Sequence, residues 1–110
     1  MYVSAVQNLA FSNVPDLRSA ALAHHSEIFR IYPEAVGQSL EALLEDEVPH
    51  IQLRAAHFLL RLNDASLDED NVHHDHAATA MEHLNDHVPR ATEILAEPNA
   101  AEILAEAGDL

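Results

Sequence analysis

Apolar side chains recur through most of the chain at steps of three and four residues, the period of an amphipathic helix. Leu17, Ala21, His24, Ile28 and Ile31 form one stripe, and Leu22, His25, Phe29 and Tyr32 form a second. A helix apolar on two sides is expected to lie centrally. Its start is written in "SNVPD", with Ser12 or Asn13 as N-cap, Pro15 in the first turn and Asp16 near the positive end of the macrodipole. Pro33 disfavours helical geometry at Tyr32 and opens a second helix, Glu34 to about Asp46, with Val36, Leu40, Leu43 and Leu44 along one side. From Pro49 to Leu62 the set Ile51, Ala55, Phe58, Leu59 and Leu62 follows the helical template closely.

The remaining segments are shorter or more polar. Residues 1–12 carry an apolar stretch, "YVSAVQNLAF", that reads as a docking helix or arm. "NDASLDEDN" (63–71) reads as an acidic loop that lets the chain reverse. Val72 to about Val88 is expected as one histidine-rich helix with Ala77, Met81, Leu84 and Val88 inward. "PRATEILAE" and "NAAEILAEA" predict two short helices broken at Pro98, and Glu-Ile-Leu-Ala-Glu occurs twice, at 93–97 and 102–106. The expectation is a single all-α domain over 1–110, a compact bundle of four to six helices with antiparallel hairpins. Its parts are the arm 1–12, core helices 13–62, the loop 63–71, and a histidine-rich helix with an acidic amphipathic tail over 72–110.

Composition supports helix and restricts partners. Nineteen Ala and only two Gly favour it, because Ala has the best intrinsic helix propensity. Nineteen Asp and Glu face five Arg and no Lys, a formal charge of −14 at neutral pH, so phosphate backbones are repelled and direct nucleic-acid binding is disfavoured. A chain of this kind points to a GC-rich or salt-adapted source. With no Cys, disulfides and thiolate chemistry are excluded. No basic leader followed by an apolar run is seen, and no membrane-length segment, which gives the expectation of a soluble cytoplasmic protein without membrane partners.

The segment "AVGQSLEALLEDEVPHIQLRAAHFLLRL" (35–62) resembles a HEAT-type helical hairpin: a Leu-rich helix, an acidic turn with Pro, and an Arg-Ala-Ala helix packed antiparallel. It is similar also to the helical segment that follows the DNA-binding domain in phage small-terminase-like proteins. The first resemblance implies a protein-binding surface, the second a phage or mobile-element origin.

Candidate chemistry gathers in "VHHDHAATAMEHLNDH" (72–87), five histidines in sixteen residues. On a continuous helix His76, His83 and His87 fall in a narrow arc beside the apolar stripe. His83 and His87, four apart, match the spacing that chelates Zn or Ni through imidazole nitrogen, with His76 two turns away and His73, His74, Asp75, Asp68, Glu69 and Asp70 as nearby donors. The plainer reading places these rings at the boundary between core and solvent. A third makes them pH-responsive, since charging all nine His would move the formal charge from −14 to −5. His24, within the apolar stripe, is expected to be a satisfied core histidine.

A second pattern is His50, Arg54, His57 and Arg61, spaced four, three and four along one helix face. It reads as an anion- or partner-binding stripe, or, preferred, as a set of ion-pair partners for Glu41, Glu45 and Glu47. No nucleophile elbow and no phosphate-cradling Gly loop is present, so enzymatic chemistry is not expected. The reading adopted is a small acidic protein-interaction module, homo-oligomeric because a short chain has little internal surface to cover its amphipathic helices. The tail residues Glu93, Glu97, Glu102 and Glu106 would dock into a basic groove. The alternatives are an acidic nucleic-acid mimic that blocks a nucleic-acid-binding protein, and a histidine-based Zn- or Ni-binding protein.

Overall fold

Three helices of this chain begin at a Val-Pro step, and two of those starts are built alike. The computed structural model describes residues 8, 10–31 and 33–106, apart from the side chains at 23, 26–31, 33, 34 and 83. Ser12 Oγ accepts the N–H of Val14 at 3.1 Å, and Asp46 Oδ1 accepts the N–H of Val48 at 2.9 Å. A residue before proline avoids helical geometry, and Val48 is extended (φ −86°, ψ 115°). Proline then takes the first helical position, where its missing N–H has no bond to lose. These starts open α1 (Pro15–Ile31) and α3 (Pro49–Leu67). The carbonyl of Val14 accepts from Leu17 and Arg18, so Val14 occupies the cap position expected for Ser12 or Asn13.

Between them lies α2 (Pro33–Leu43); after α3 come α4 (His74–Leu84), a 3-10 turn (Asn85–His87), α5 (Val88–Leu95) and α6 (Ala100–Glu106). The fold is an all-α bundle, with no strand among the described residues. Its hub is α3, which packs most extensively on α4 and α5 and also meets α1, α2 and α6. Ile51, Leu53, Ala55, Ala56, Leu59 and Leu62 are buried. At 100° per residue they span far more than one face. The second large interface lies between α2 and α4. There Val36, Leu40, Leu43, Ala77, Ala80, Met81 and Leu84 belong to the same buried cluster as the α3 residues. Burying each such large aliphatic side chain contributes about 1.5–3 kcal/mol, which is what sets one chain against its conformational entropy.

Several expected boundaries move. The segment 63–71 is not wholly loop, because α3 continues through Leu67. Its extra turn is held where Asn63, Ala65 and Ser66 are half-buried. The reversal is confined to 68–73, ordered by Asp68 Oδ1 accepting from Asp70 N–H (3.1 Å) and Asn71 Oδ1 from His73 N–H (2.8 Å). The single helix expected over 72–88 is broken: Val72 is exposed, α4 stops at Leu84, and Val88 starts α5. α1 is peripheral rather than central, since its main interface is with α2. Residues 1–7 of the expected arm lie outside the described residues, while Ala10 is buried. α2 and α3 meet over a smaller interface than either makes with α4.

The acidic tail is part of the core. Ala91, Ile94, Ala100 and Leu104 are buried, and α5 and α6 both pack on α3. Residues 89–106 are therefore not a detachable docking segment, because removing them would strip cover from the hub helix.

Leu59→Ala is expected to lower the unfolding free energy by about 3 kcal/mol, as for a fully enclosed leucine. Leu67→Ala, at a side chain 75% exposed in the same helix, should change it by less than about 0.5 kcal/mol. Urea denaturation followed by helical circular dichroism measures both; equal losses would contradict the hub position of α3.

Candidate interaction surface

Charge is distributed by a simple rule in this structure. Every carboxylate among the described side chains is exposed except that of Asp46, whose side chain is 4% accessible. Arg18 explains the exception. Its Nη2 donates to Asp46 Oδ1 (3.1 Å), its Nε to Oδ2 (2.5 Å), and its Nη1 to the carbonyl of Ser12 (2.9 Å). One guanidinium thereby fastens the start of α1 to the start of α3. The hydrogen bond to Asp46 holds the Arg18 pKa above its ordinary value, aided by the charges of Asp46 and Glu47 against partial desolvation. Nothing in the hydrophobic pattern marks Asp46, yet a signal was present: a short polar acceptor two residues before Val-Pro, as at Ser12.

The cationic stripe has a geometric origin in the burial of α3. His50, Arg54, His57 and Arg61 fall within one narrow arc, opposite the fully buried positions of the helix; the first three are half-buried and Arg61 is exposed. Arg54 is committed inward, its Nη1 donating to Ser19 Oγ on α1 at 2.7 Å. Glu41 and Glu45 meet cations outside α3. Glu41 meets His87 Nε2 at 3.7 Å, and Glu45 meets Arg90 Nε at 3.6 Å, which ties α2 to the 3-10 turn and α5. Such exposed pairs contribute little individually, about 0–1 kcal/mol.

The candidate metal ligands do not share one continuous α-helix. His76 is exposed in the first turn of α4, and His87 is half-buried in the 3-10 turn beside Glu41. The side chain of His83 lies outside the described residues. No three His, Asp or Glu side chains are grouped to hold a metal ion among those described. His74, by contrast, sits at the reversal, with Nδ1 3.3 Å from the carbonyl of Ala65.

The acid-bearing surface is concentrated in the second half of the chain. Residues 68–106 carry ten exposed carboxylates and a single Arg, Arg90, which pairs with Glu45. Glu93, Glu97, Glu102 and Glu106 are all exposed, on the outer sides of the two helices whose inner sides are buried. Glu93 lies in the last turn of α5 and Glu106 ends α6, with no basic residue in either last turn. Negative charge there opposes the macrodipole by about 0.3–1 kcal/mol each.

The histidine of the core is His25, not His24. His25 is 1% exposed and His24 is half-buried. The His25 ring meets Phe58 of α3 edge-on, with centroids 6.0 Å apart and planes at 67°. Neither ring nitrogen has a hydrogen-bond partner among the described residues. Burial, reinforced by the charge of His24, pushes its pKa down to about 4. Folding therefore opposes protonation of this ring. The unfolded chain takes up this proton below about pH 6.5, whereas the folded chain resists it until about pH 4.

No helix among the described residues is long and apolar enough to cross a membrane. Comparison of the chain with protein-family models, with curated proteins and with solved structures finds no match.

Two measurements check this electrostatic arrangement. Arg18→Ala and Asp46→Ala should each lower the melting temperature, and the double variant should lose clearly less than their sum; additive losses would show that the pair does not couple. Between pH 6.5 and pH 4, His25 should subtract up to about 3 kcal/mol from the unfolding free energy, with no contribution above that range. His25→Leu should remove that component, read as the difference between the two stability-against-pH curves.

Proposed function

We propose that this chain is a small helical recognition protein, and that the carboxylate-bearing exterior of residues 68–106 engages a protein partner through a basic surface. The supporting observation is the division of α5 and α6. Their apolar sides are consumed by the core, so what they offer outward is Glu93, Glu97, Glu102 and Glu106. Association with a basic partner would be steered by long-range attraction and weakened by salt. Retention of acid at helix ends where the dipole disfavours it agrees with a role outside folding.

Self-assembly is offered few apolar contacts on this fold: among the described residues most large apolar side chains are covered within one chain, and those left exposed are Phe11, Val14, Leu17, Leu67 and Val72. Mutual repulsion between copies of formal charge −14 also opposes close approach. A heterologous basic partner satisfies the charge better than a second copy does. If that partner is itself a nucleic-acid-binding protein, the carboxylates stand in for phosphates and the chain acts as its competitive inhibitor.

Replacing Glu93, Glu97, Glu102 and Glu106 together by Gln should leave stability nearly unchanged, because all four are exposed. Affinity capture from native lysate at low and high salt should retain a partner with the native chain at low salt only, and fail with the Gln variant. Capture that persists equally in high salt and with the variant removes the reading. Displacement of the captured partner by duplex DNA or RNA would select the mimic form of it.

A further inference from the structure

We propose that the contact of α1 with α3 at His25 is an acid-released latch: protonation of the buried ring lets α1 leave the bundle while α2 to α6 remain folded. The proposal is independent of which partner the acidic surface takes. It rests on how the ring is housed and on how α1 is attached.

The ring is enclosed at an interface between helices, against Phe58, with neither nitrogen hydrogen-bonded among the described residues. As neutral imidazole it packs like an aromatic hydrocarbon. As imidazolium it would carry two unsatisfied donors and a charge in that place, which burial disfavours. Among the described residues, the groups that could compensate lie elsewhere. On α2, Glu41 is exposed and directed to His87; on α3, Arg54 is bonded to Ser19 and His57 is cationic when charged; on α4, Glu82 is exposed. On α1 itself His24 acts on the ring, and it lowers the proton affinity further. With no such partner among the described residues, reaching water is the way for a charged His25 to be solvated.

The attachment of α1 makes that exit local. Its main interface is with α2 alone, and its interfaces with α3 and α4 are small beside the packing of α3 on α4 and on α5. α1 ends at Ile31 and α2 opens at Pro33, where proline cannot continue a hydrogen-bond ladder from one helix to the next. The polar ties, Arg18 to Asp46 and Arg54 to Ser19, gather near the start of α1, and water can replace them on opening. Elements with few buried contacts open below the global unfolding free energy. Release of α1 would uncover Ala21, Leu22 and Phe58, an apolar surface hidden at neutral pH.

Hydrogen–deuterium exchange of the full chain, corrected for intrinsic rates at each pH, tests this. Between pH 7.5 and pH 5, protection of the α1 amides should fall by roughly 25-fold, the ratio set by proton uptake in the open state near 6.5 and in the closed state near 4. Amides of α3 and α4 should keep theirs, and His25→Leu should hold α1 protected at both pH values. Unchanged α1 protection in the native chain, simultaneous loss in α3 and α4, or the same response in His25→Leu each overturns the latch. Where His25→Leu does not fold, NMR titration of the His25 ring in the native chain decides. A ring that charges together with α1 exchange supports the latch, and one that charges near 6.5 with α1 still protected overturns it.

Discussion

The packing of α3 on nearly every side is the constraint from which the rest of this structure follows. A nineteen-residue helix that buries Ile51, Leu53, Ala55, Ala56, Leu59 and Leu62 has apolar side chains around more than half its circumference. Such a helix is stable only when surrounded. The five other helices supply that cover, and the small side chains Ala55, Ala56, Ala77, Ala80 and Ala91, all nearly inaccessible, suit helices packed closely against it. Opposite those buried positions runs one narrow strip that holds His50, Arg54, His57 and Arg61, and α1 partly covers it through the Arg54–Ser19 bond. The cationic pattern is thus the residue of a packing solution before it is anything else.

The same constraint governs charge. A chain this acidic has few cations with which to offset repulsion, and the structure uses Arg18 and Arg54 to join helices at part-buried positions. Arg90 and His87 are drawn to Glu45 and Glu41. The carboxylates of 68–106 are left largely unopposed at the surface, while the apolar sides of their helices are committed inward. A surface of this composition favours binding that is long-ranged and sensitive to salt over binding by hydrophobic area. Apolar burial and exposed charge therefore occupy opposite sides of the same short helices.

At His25 a titratable ring lies within the core. Burying a neutral imidazole against Phe58 fits a core whose other buried polar residue, among those described, is Ser39. The arrangement ties the position of α1 to proton concentration, because a charged ring in that place has neither water nor a hydrogen-bond partner among the described residues.

Helix content, the order of the elements and most of the core were written in the three- and four-residue spacing of apolar positions. Val36, Leu40, Leu43, Leu44, Ile51, Leu59, Leu62, Ala77, Met81 and Leu84 are all inward, as that spacing requires, because a helix that exposes such a stripe loses the stabilisation of burying it. The Pro and short polar residues before α1 and α3 announced where helices begin, since proline and its preceding residue restrict the backbone locally. Net charge was fixed by composition. Matters of choice between near-equal local solutions were not legible. Two adjacent histidines, His24 and His25, sat on two apolar stripes, and only the placement of α1 against Phe58 decided which is buried. Periodicity ran on through 72–88, yet the chain tightens into a 3-10 turn at Asn85–His87 and starts afresh at Val88, and that break separates His87 from the α4 face on which His76 lies. Polar residues 63–67 had weak helix signal and became helix as an extension of the hub. The partners of Glu41, Glu45 and Asp46 come from distant positions in the chain, because ion pairs between helices depend on relative placement in space, which no local spacing records.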